Sequence, residues 1–362
     1  MREFVTVDGI DSNAKPLKYG VPQGSILGPL LFIIYINDLP GISSIARFIL
    51  YADDANIIIT ADSIAKIEEQ LQTLSIKLTD WVNCNGLALN LKKTNYMIFS
   101  RQKIELLEPF IISNVNIERK TEARFLGVIL DEKLNWSSHV KNLKSKMCRY
   151  VGVMYKLKRH LPPQVRLQIF HSFIQSHVNY CSLVWGFSSK TNIDSIFRQQ
   201  KKGIRAIAPG FINYKYRDGE LPSHTKPYFT KFKILTIHNT VALNALVFVH
   251  KAKHFPNSLP QSVRATIPDN APTIGSNHET AETWLMEHNN RYHRSSLFYK
   301  GPLIATIPEF ARQISLACLL KIKCYKNNMK ANILQVQASG DENEWLGSNN
   351  ILCNIPGLRK SS

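Results

Sequence analysis

Arg47-Phe48-Ile49-Leu50-Tyr51-Ala52-Asp53-Asp54-Ala55-Asn56-Ile57-Ile58-Ile59-Thr60 decides the reading of this chain. Two apolar runs flank a short polar break, the pattern of two strands joined by a tight turn. Such a hairpin brings the adjacent carboxylates of Asp53 and Asp54 to one place at its tip. Like charges that close are unfavourable unless a cation neutralises them, and oxygen donors suit a hard divalent ion. An adjacent Asp pair by itself more often makes a turn or caps a helix, so the surrounding sequence must carry the argument. Upstream, Gly20-Val21-Pro22-Gln23-Gly24-Ser25 reads as a loop leading into a helix over Ile26–Asn37. There Pro22 stiffens the chain, Gln23 offers an amide donor and acceptor, and Gly24 lets a ligand approach the backbone closely.

Four segments, in this order, resemble the motifs of reverse transcriptases. The run from Tyr19 to Pro40 resembles motif B, in the form found in the jockey-type branch of non-LTR retrotransposons. Tyr51-Ala52-Asp53-Asp54 resembles motif C, the catalytic hairpin of the palm. Leu87-Ala88-Leu89-Asn90-Leu91-Lys92-Lys93-Thr94-Asn95-Tyr96-Met97-Ile98-Phe99 is similar to motif D. Phe125-Leu126-Gly127-Val128-Ile129-Leu130-Asp131 is similar to motif E, the primer grip. The resemblance is closest over residues 1–160. It continues into the helical stretch beyond and returns near Tyr299-Lys300-Gly301-Pro302.

The resemblance implies an RNA-directed DNA polymerase that works on an RNA template, a DNA primer and deoxynucleoside triphosphates. Phosphoryl transfer of this kind rests on positioning and charge stabilisation, with two metal ions clamping the attacking and leaving oxygens. It implies Asp53 and Asp54 as metal ligands, for Mg²⁺ or alternatively Mn²⁺. Gln23, Gly24, Tyr51 and Ala52 would lie against nucleotide and template. Phe125, Leu126 and Gly127 would hold the primer. Lys93, or its neighbour Lys92, would protonate the pyrophosphate leaving group; the competing reading of both is a solvated strand-end lysine. The family's motif A aspartate and its fingers subdomain find no counterpart here. Before Pro22 the only carboxylates are Glu3, Asp8 and Asp11, and Phe4 to Ser12 reads as strand and turn. The expectation is the C-terminal part of a longer enzyme, weak or inactive alone, with a missing N-terminal half acting in trans as one way to complete it. Misplacement of about 1 Å can cost roughly a hundredfold in rate.

Composition points the same way. The chain has 362 residues and 44% hydrophobic content, enough for a globular protein of more than one domain. Its net charge of +18 favours a polyanionic partner. No signal-peptide core opens the chain, and the longest apolar run, around Val241 to Val249, is too short to span a bilayer. The expectation is therefore an intracellular protein of nucleus or cytoplasm, neither secreted nor membrane-bound, with its six scattered cysteines reduced. The charge is concentrated. Between Glu132 and Asp194 there is no acidic residue, while ten Lys and Arg residues occur.

The fold expected is α+β. Residues 1–131 read as a partial palm, an antiparallel sheet with packed helices. Ser63 is placed to cap a helix to about Asn83 whose face is Ile64, Ile67, Leu71, Leu74, Leu78 and Trp81. Leu87 to Ser100 is expected to return as strand. Residues 132–205 read as a basic helical thumb, with Ser138 capping a helix that buries Val140, Leu143, Met147, Val151 and Met154. Lys141, Lys144, Arg149 and Lys156 fall off that face and form a backbone-tracking surface, continued by Arg198, Lys201, Lys202 and Arg205. A merely solvated cationic face is the alternative. Trp185 is assigned to the core, with base stacking as the second reading. Residues 206–337 are expected to be a helical C-terminal region, with a hinge to 234, a helix over Lys231–Lys253 and a flexible segment at 256–290. Residues 338–362 read as a loose tail.

Three alternatives are open to the residues: a remnant, a different reverse transcriptase, and an unrelated globular protein with a chance Asp pair, against which the four ordered motifs argue. A non-catalytic nucleic-acid-binding remnant would keep the basic helices without synthesis. A group II intron maturase would need its own basic motifs after the thumb, and Tyr180-Cys181-Ser182-Leu183-Val184-Trp185-Gly186 favours the retrotransposon branch instead.

Overall fold

The computed structural model describes residues 2–16, 20–21, 24–100, 104–208 and 225–264. They fall into two compact units, Met1–Thr121 and Glu122–Ser362. Short strands and helices mix in the first, and helices dominate the second, so the chain is of mixed α and β type.

In the first unit β1 (Arg2–Glu3), β2 (Thr6–Val7), β3 (Ile10–Asp11) and β4 (Lys15–Pro16) form two nested antiparallel pairs, β1 with β4 and β2 with β3. Asp8 and Gly9 make the inner turn, and the Thr6 hydroxyl donates to Asp11 Oδ1 at 2.6 Å. Helix α1 (Gly28–Ile36) starts at a Gly-Pro pair suited to a first helical turn and is apolar throughout. A 3₁₀ turn over Leu39–Ile42 leads to β5 (Ala46–Tyr51) and β6 (Asp54–Ile59), paired without a break from Ala46 opposite Ile59 to Tyr51 opposite Asp54. Helix α2 (Ile64–Cys84) follows, capped as expected: Ser63 Oγ accepts from the Lys66 N–H at 3.4 Å. Its apolar stripe turns inward, with Leu74 buried and Ile64, Ile67, Leu71, Leu78 and Trp81 half-buried. The Tyr35 hydroxyl donates to the Asn85 carbonyl, tying α1 to the end of α2.

The strand expected over Leu87 to Ser100 shrinks to β7 (Asn95–Tyr96). The cause is local. The Asn90 carbonyl accepts from the N–H groups of Lys93 and Thr94 and from the Thr94 hydroxyl, all at 3.0 Å, and closes a turn over residues 91–93. Beyond it lie β8 (Ile111–Ile112), β9 (Val115–Asn116) and β10 (Glu118–Arg119). β8 pairs antiparallel with β9, and β10 pairs parallel with β7. Among the described residues the expected antiparallel sheet is thus divided into two-stranded pairs.

The second unit opens with β11 (Glu122–Phe125) and β12 (Val128–Asp131), joined by Leu126 and Gly127 at φ 45° and 80°. Positive φ at both turn positions matches the twist of the strands, and the second falls where glycine carries no steric penalty. Buried Asp131 accepts from the N–H groups of Lys133 (3.2 Å), Asn135 (3.0 Å) and Trp136 (2.8 Å), which turns the chain into α3 (Ser137–Leu157). Ser138 is not the cap of α3. Trp136 holds that position at φ 65°, Asn135 Oδ1 accepts from the Ser137 N–H, and the Ser138 hydroxyl donates to Glu122. The buried face of α3 is the one expected, Val140, Leu143, Met147, Val151 and Met154.

Helix α4 (Pro163–Phe170) runs through a π turn over His171–Gln175 into α5 (Ser176–Asn179), followed by α6 (Ser182–Trp185) and α7 (Lys190–Ile207). Then come α8 (Lys226–Lys231), α9 (Ile237–His254) and α10 (Gln261–Arg264). The helix expected from Lys231 starts later, because Lys233 takes φ 52° and Thr236 Oγ1 caps the Asn239 N–H. Helix α7 lies against α3 and α4. Gly203 permits the close approach: a Cβ there would meet Phe170 at 2.8 Å and Ile174 at 2.9 Å. Gln200 is fully buried and satisfied, donating to Gln175 Oε1 (3.0 Å) and the Leu235 carbonyl (2.9 Å) and accepting from the Ile237 N–H (2.9 Å). Arg166 and Lys158 donate to the carbonyls of Ala206 (2.7 Å) and Arg205 (3.1 Å), meeting the open acceptors at the end of α7. Trp185 is a core residue, fully buried with its indole N–H on the Tyr180 carbonyl at 2.9 Å. The helical region expected to residue 337, the tail at 338–362 and most of the segment at 256–290 lie outside the described residues.

Candidate functional site

The hairpin of β5 and β6 puts Ala52 and Asp53 in a two-residue turn between the facing residues Tyr51 and Asp54. Ala52 takes φ 49°, a left-handed conformation that costs an L-residue other than Gly roughly 1 kcal/mol. All four residues are exposed, Tyr51 to 61%. Among the described residues neither the Asp53 nor the Asp54 side chain makes a hydrogen bond or an ion pair, so their carboxylate oxygens are open to a ligand. Hard anionic oxygens on neighbouring residues fit a divalent cation. The set is short, however: among the described residues no three His, Cys, Asp or Glu side chains gather as a metal site.

Around the hairpin the expected residues are placed as follows. Gly24 has φ 88° with open space where a Cβ would be, while Pro22 and Gln23 lie outside the described residues. Lys92 and Lys93 are exposed in the turn after Asn90, and no hydrogen bond or ion pair joins them to Asp53 or Asp54 among the described residues.

In the second unit, Phe125, Leu126 and Gly127 form the tip of the β11–β12 hairpin. The Tyr180 hydroxyl donates to the Leu126 carbonyl at 2.5 Å, and the ring of Tyr180 lies against Gly127. Lys141, Lys144, Arg149 and Lys156 are all exposed, outside the buried stripe of α3. On α7, Arg198 and Lys202 are exposed, while Lys201 and Arg205 are half-buried, with the Lys201 ammonium 4.3 Å from the Phe197 ring centre. Burial and the neighbouring Arg205 push the Lys201 pKa down, outweighing the opposing pull of Asp194.

Two histidines of this unit are held neutral. His238 is pushed down to about 4 by burial, which outweighs the opposing effect of Asp194 at 3.7 Å. That contact is therefore not an ion pair at neutral pH. His139 is also lowered to about 4, by burial and then by Lys146 and Arg124. Its Nδ1 accepts from the Ile129 N–H at 3.3 Å, which leaves the ring proton on Nε2. Sequence reasoning missed Lys146 and His139, because neither falls on the cationic stripe of α3. It also missed the role of Asp131, although an Asp followed by several N–H groups in a turn is a legible signal.

Residues 1–130 match the family model described as reverse transcriptase (RNA-dependent DNA polymerase). The chain is 28% identical over 198 residues to a protein named "Probable RNA-directed DNA polymerase from transposon X-element" of Drosophila melanogaster, covering 52% of this chain and 21% of that one. It is 27% identical over 227 residues to "RNA-directed DNA polymerase from mobile element jockey" of the same fly, covering 60% of this chain and 25% of the relative. A polyprotein of the type-1 retrotransposable element R1 of Nasonia vitripennis is 25% identical over 202 residues, covering 52% and 59%. The chain thus spans about a quarter of the length of the two fly relatives. No solved structure matches it.

Proposed function

We propose that this chain, whose residues 1–130 are a reverse transcriptase domain related to those of jockey-like non-LTR retrotransposons, supplies the motif B to motif E part of an RNA-directed DNA polymerase. The observation that carries the reading is the hairpin tip with two open, adjacent carboxylates inside the matched domain. Asp53 and Asp54 would hold Mg²⁺, with Mn²⁺ as the alternative. The bound ion would stabilise negative charge on phosphoryl oxygens. Tyr51, Ala52 and Gly24 leave backbone and ring surface open for template and nucleotide. Lys93, or Lys92, is exposed and available as a proton donor to the leaving group. Phe125, Leu126 and Gly127 present a rigid turn to the primer. The cationic side of α3 grips the sugar–phosphate backbone by charge and shape, not by base sequence. The template is RNA, the primer DNA, the substrates deoxynucleoside triphosphates, and the setting nuclear or cytoplasmic.

A second reading has its own observation. At the hairpin tip two carboxylates, Asp53 and Asp54, come together, and no third His, Cys, Asp or Glu joins them among the described residues; the second reading is a chain that binds duplex without synthesis, or one that works with an N-terminal half in trans. Primer extension on an RNA template with Mg²⁺, comparing the chain with Asp53→Asn, separates these. Extension that disappears in the variant, with duplex binding retained, is the expected result for a polymerase. Binding without extension in either protein selects the second reading. Equal extension in both removes Asp53 from the mechanism.

A further inference from the structure

Between the β11–β12 hairpin, α3 and α5 lies a small, partly open cleft lined by Gly127, His139, Asn142, Leu143, Lys146, His177 and Tyr180. Its polar groups are cationic or neutral. Lys146 is half-buried and makes no ion pair among the described residues. His139 keeps its proton on Nε2, and Asn142 adds an amide. The Tyr180 hydroxyl is committed to the Leu126 carbonyl, so its ring serves as a wall. Tyr150 stacks on His177 with ring centres 5.7 Å apart and fixes that ring in place. Among the described residues no carboxylate lines the cleft.

We infer that this cleft binds a phosphate group, with Lys146 as the charged anchor and His139, Asn142 and His177 as neutral partners around it. An ammonium held beside two imidazoles in a carboxylate-free pocket lacks only an anion. The electrostatics agree. Burial first and Lys146 second lower the pKa of His177, and Lys146 and Arg124 act the same way on His139. An anion in the cleft would reverse that bias. The phosphate could belong to a nucleic-acid backbone or to a free phosphate monoester, and the inference stands without polymerase activity.

The test is the ring titration of His177 in the full chain, followed by NMR. Inorganic phosphate is expected to raise its midpoint by about one pH unit. Lys146→Gln should raise the midpoint in the absence of phosphate and weaken phosphate binding about tenfold, while Lys146→Arg should keep it. A midpoint that phosphate does not move at any soluble concentration, or moves equally in Lys146→Gln, overturns the inference. A short RNA–DNA duplex that displaces phosphate from the cleft makes the backbone the source. A duplex that leaves phosphate in place makes it a monoester. Primer extension can fail while phosphate binding persists, so the two readings fail separately.

Discussion

The two units treat their apolar residues in opposite ways. In the second, Trp185, Phe170, Phe187, Met147 and Met154 are sealed in one cluster fed by α3 to α9. In the first, the buried apolar residues are Leu39, Leu74, Val82, Ile112 and Ile117 among those described, while Ile26 is 95% exposed and Ile33 and Ile34 about as open as Tyr51. Helix α1 is apolar on every side, yet none of its residues is buried. A helix of that composition is ordinarily enclosed, and apolar exposure of this kind marks an interaction or aggregation surface. The carboxylate hairpin therefore sits in the unit that does not close its own core. The cationic helices and the phosphate cleft sit in the unit that does. Binding and catalysis should respond to different perturbations.

The largest expected effect sharpens that contrast. Trp185→Ala should destabilise the second unit by about 3–5 kcal/mol, read from chemical denaturation. A loss below about 1 kcal/mol would mean the cluster is not the source of stability. Acid comes next. His238 is held near 4 in the fold against 6.5 unfolded, so the unfolded chain takes up the proton first. The stability His238 contributes is complete above pH 6.5 and is lost as pH falls toward 4, by about 3 kcal/mol. His139 acts in the same direction. The first unit contains no histidine, so urea midpoints between pH 7 and 4.5 should fall for the second unit alone over this mechanism. Parallel decline in both would break the comparison. Replacing Lys141, Lys144 and Arg149 with Gln should reduce the slope of log affinity against log salt by about 2–3. An unchanged slope returns α3 to a plain solvated face. The smallest effect belongs to α1, where Ile33→Ser should change stability by less than about 0.5 kcal/mol while improving solubility.

Much of this was legible in the residues because it depends on neighbours in sequence. The β5–β6 pairing, the Ser63 cap and the buried stripes of α2 and α3 follow from period and local hydrogen bonding. What escaped depends on competition. Leu87 to Ser100 has a strand's composition, but Asn90 gathers three donors and turns it. Ser138 has a cap's chemistry, but Glu122, distant in sequence, takes its hydroxyl. The start of α9 shifted because Lys233 adopts a left-handed conformation that no lysine advertises. The Asp53–Asp54 pair was visible in the chain at once. The cleft around Lys146 was not, since it is assembled from a hairpin and two helices.

Gln200 has a kinetic implication. From the middle of α7 its side chain reaches two stretches far away in sequence, the Gln175 side chain and the backbone of Leu235 and Ile237. Breaking any one of these contacts strands a buried amide, so the stretches should open together or not at all. In hydrogen-exchange terms, the π turn before α5, the middle of α7 and the start of α9 would form one cooperative unit, sharing a single opening energy.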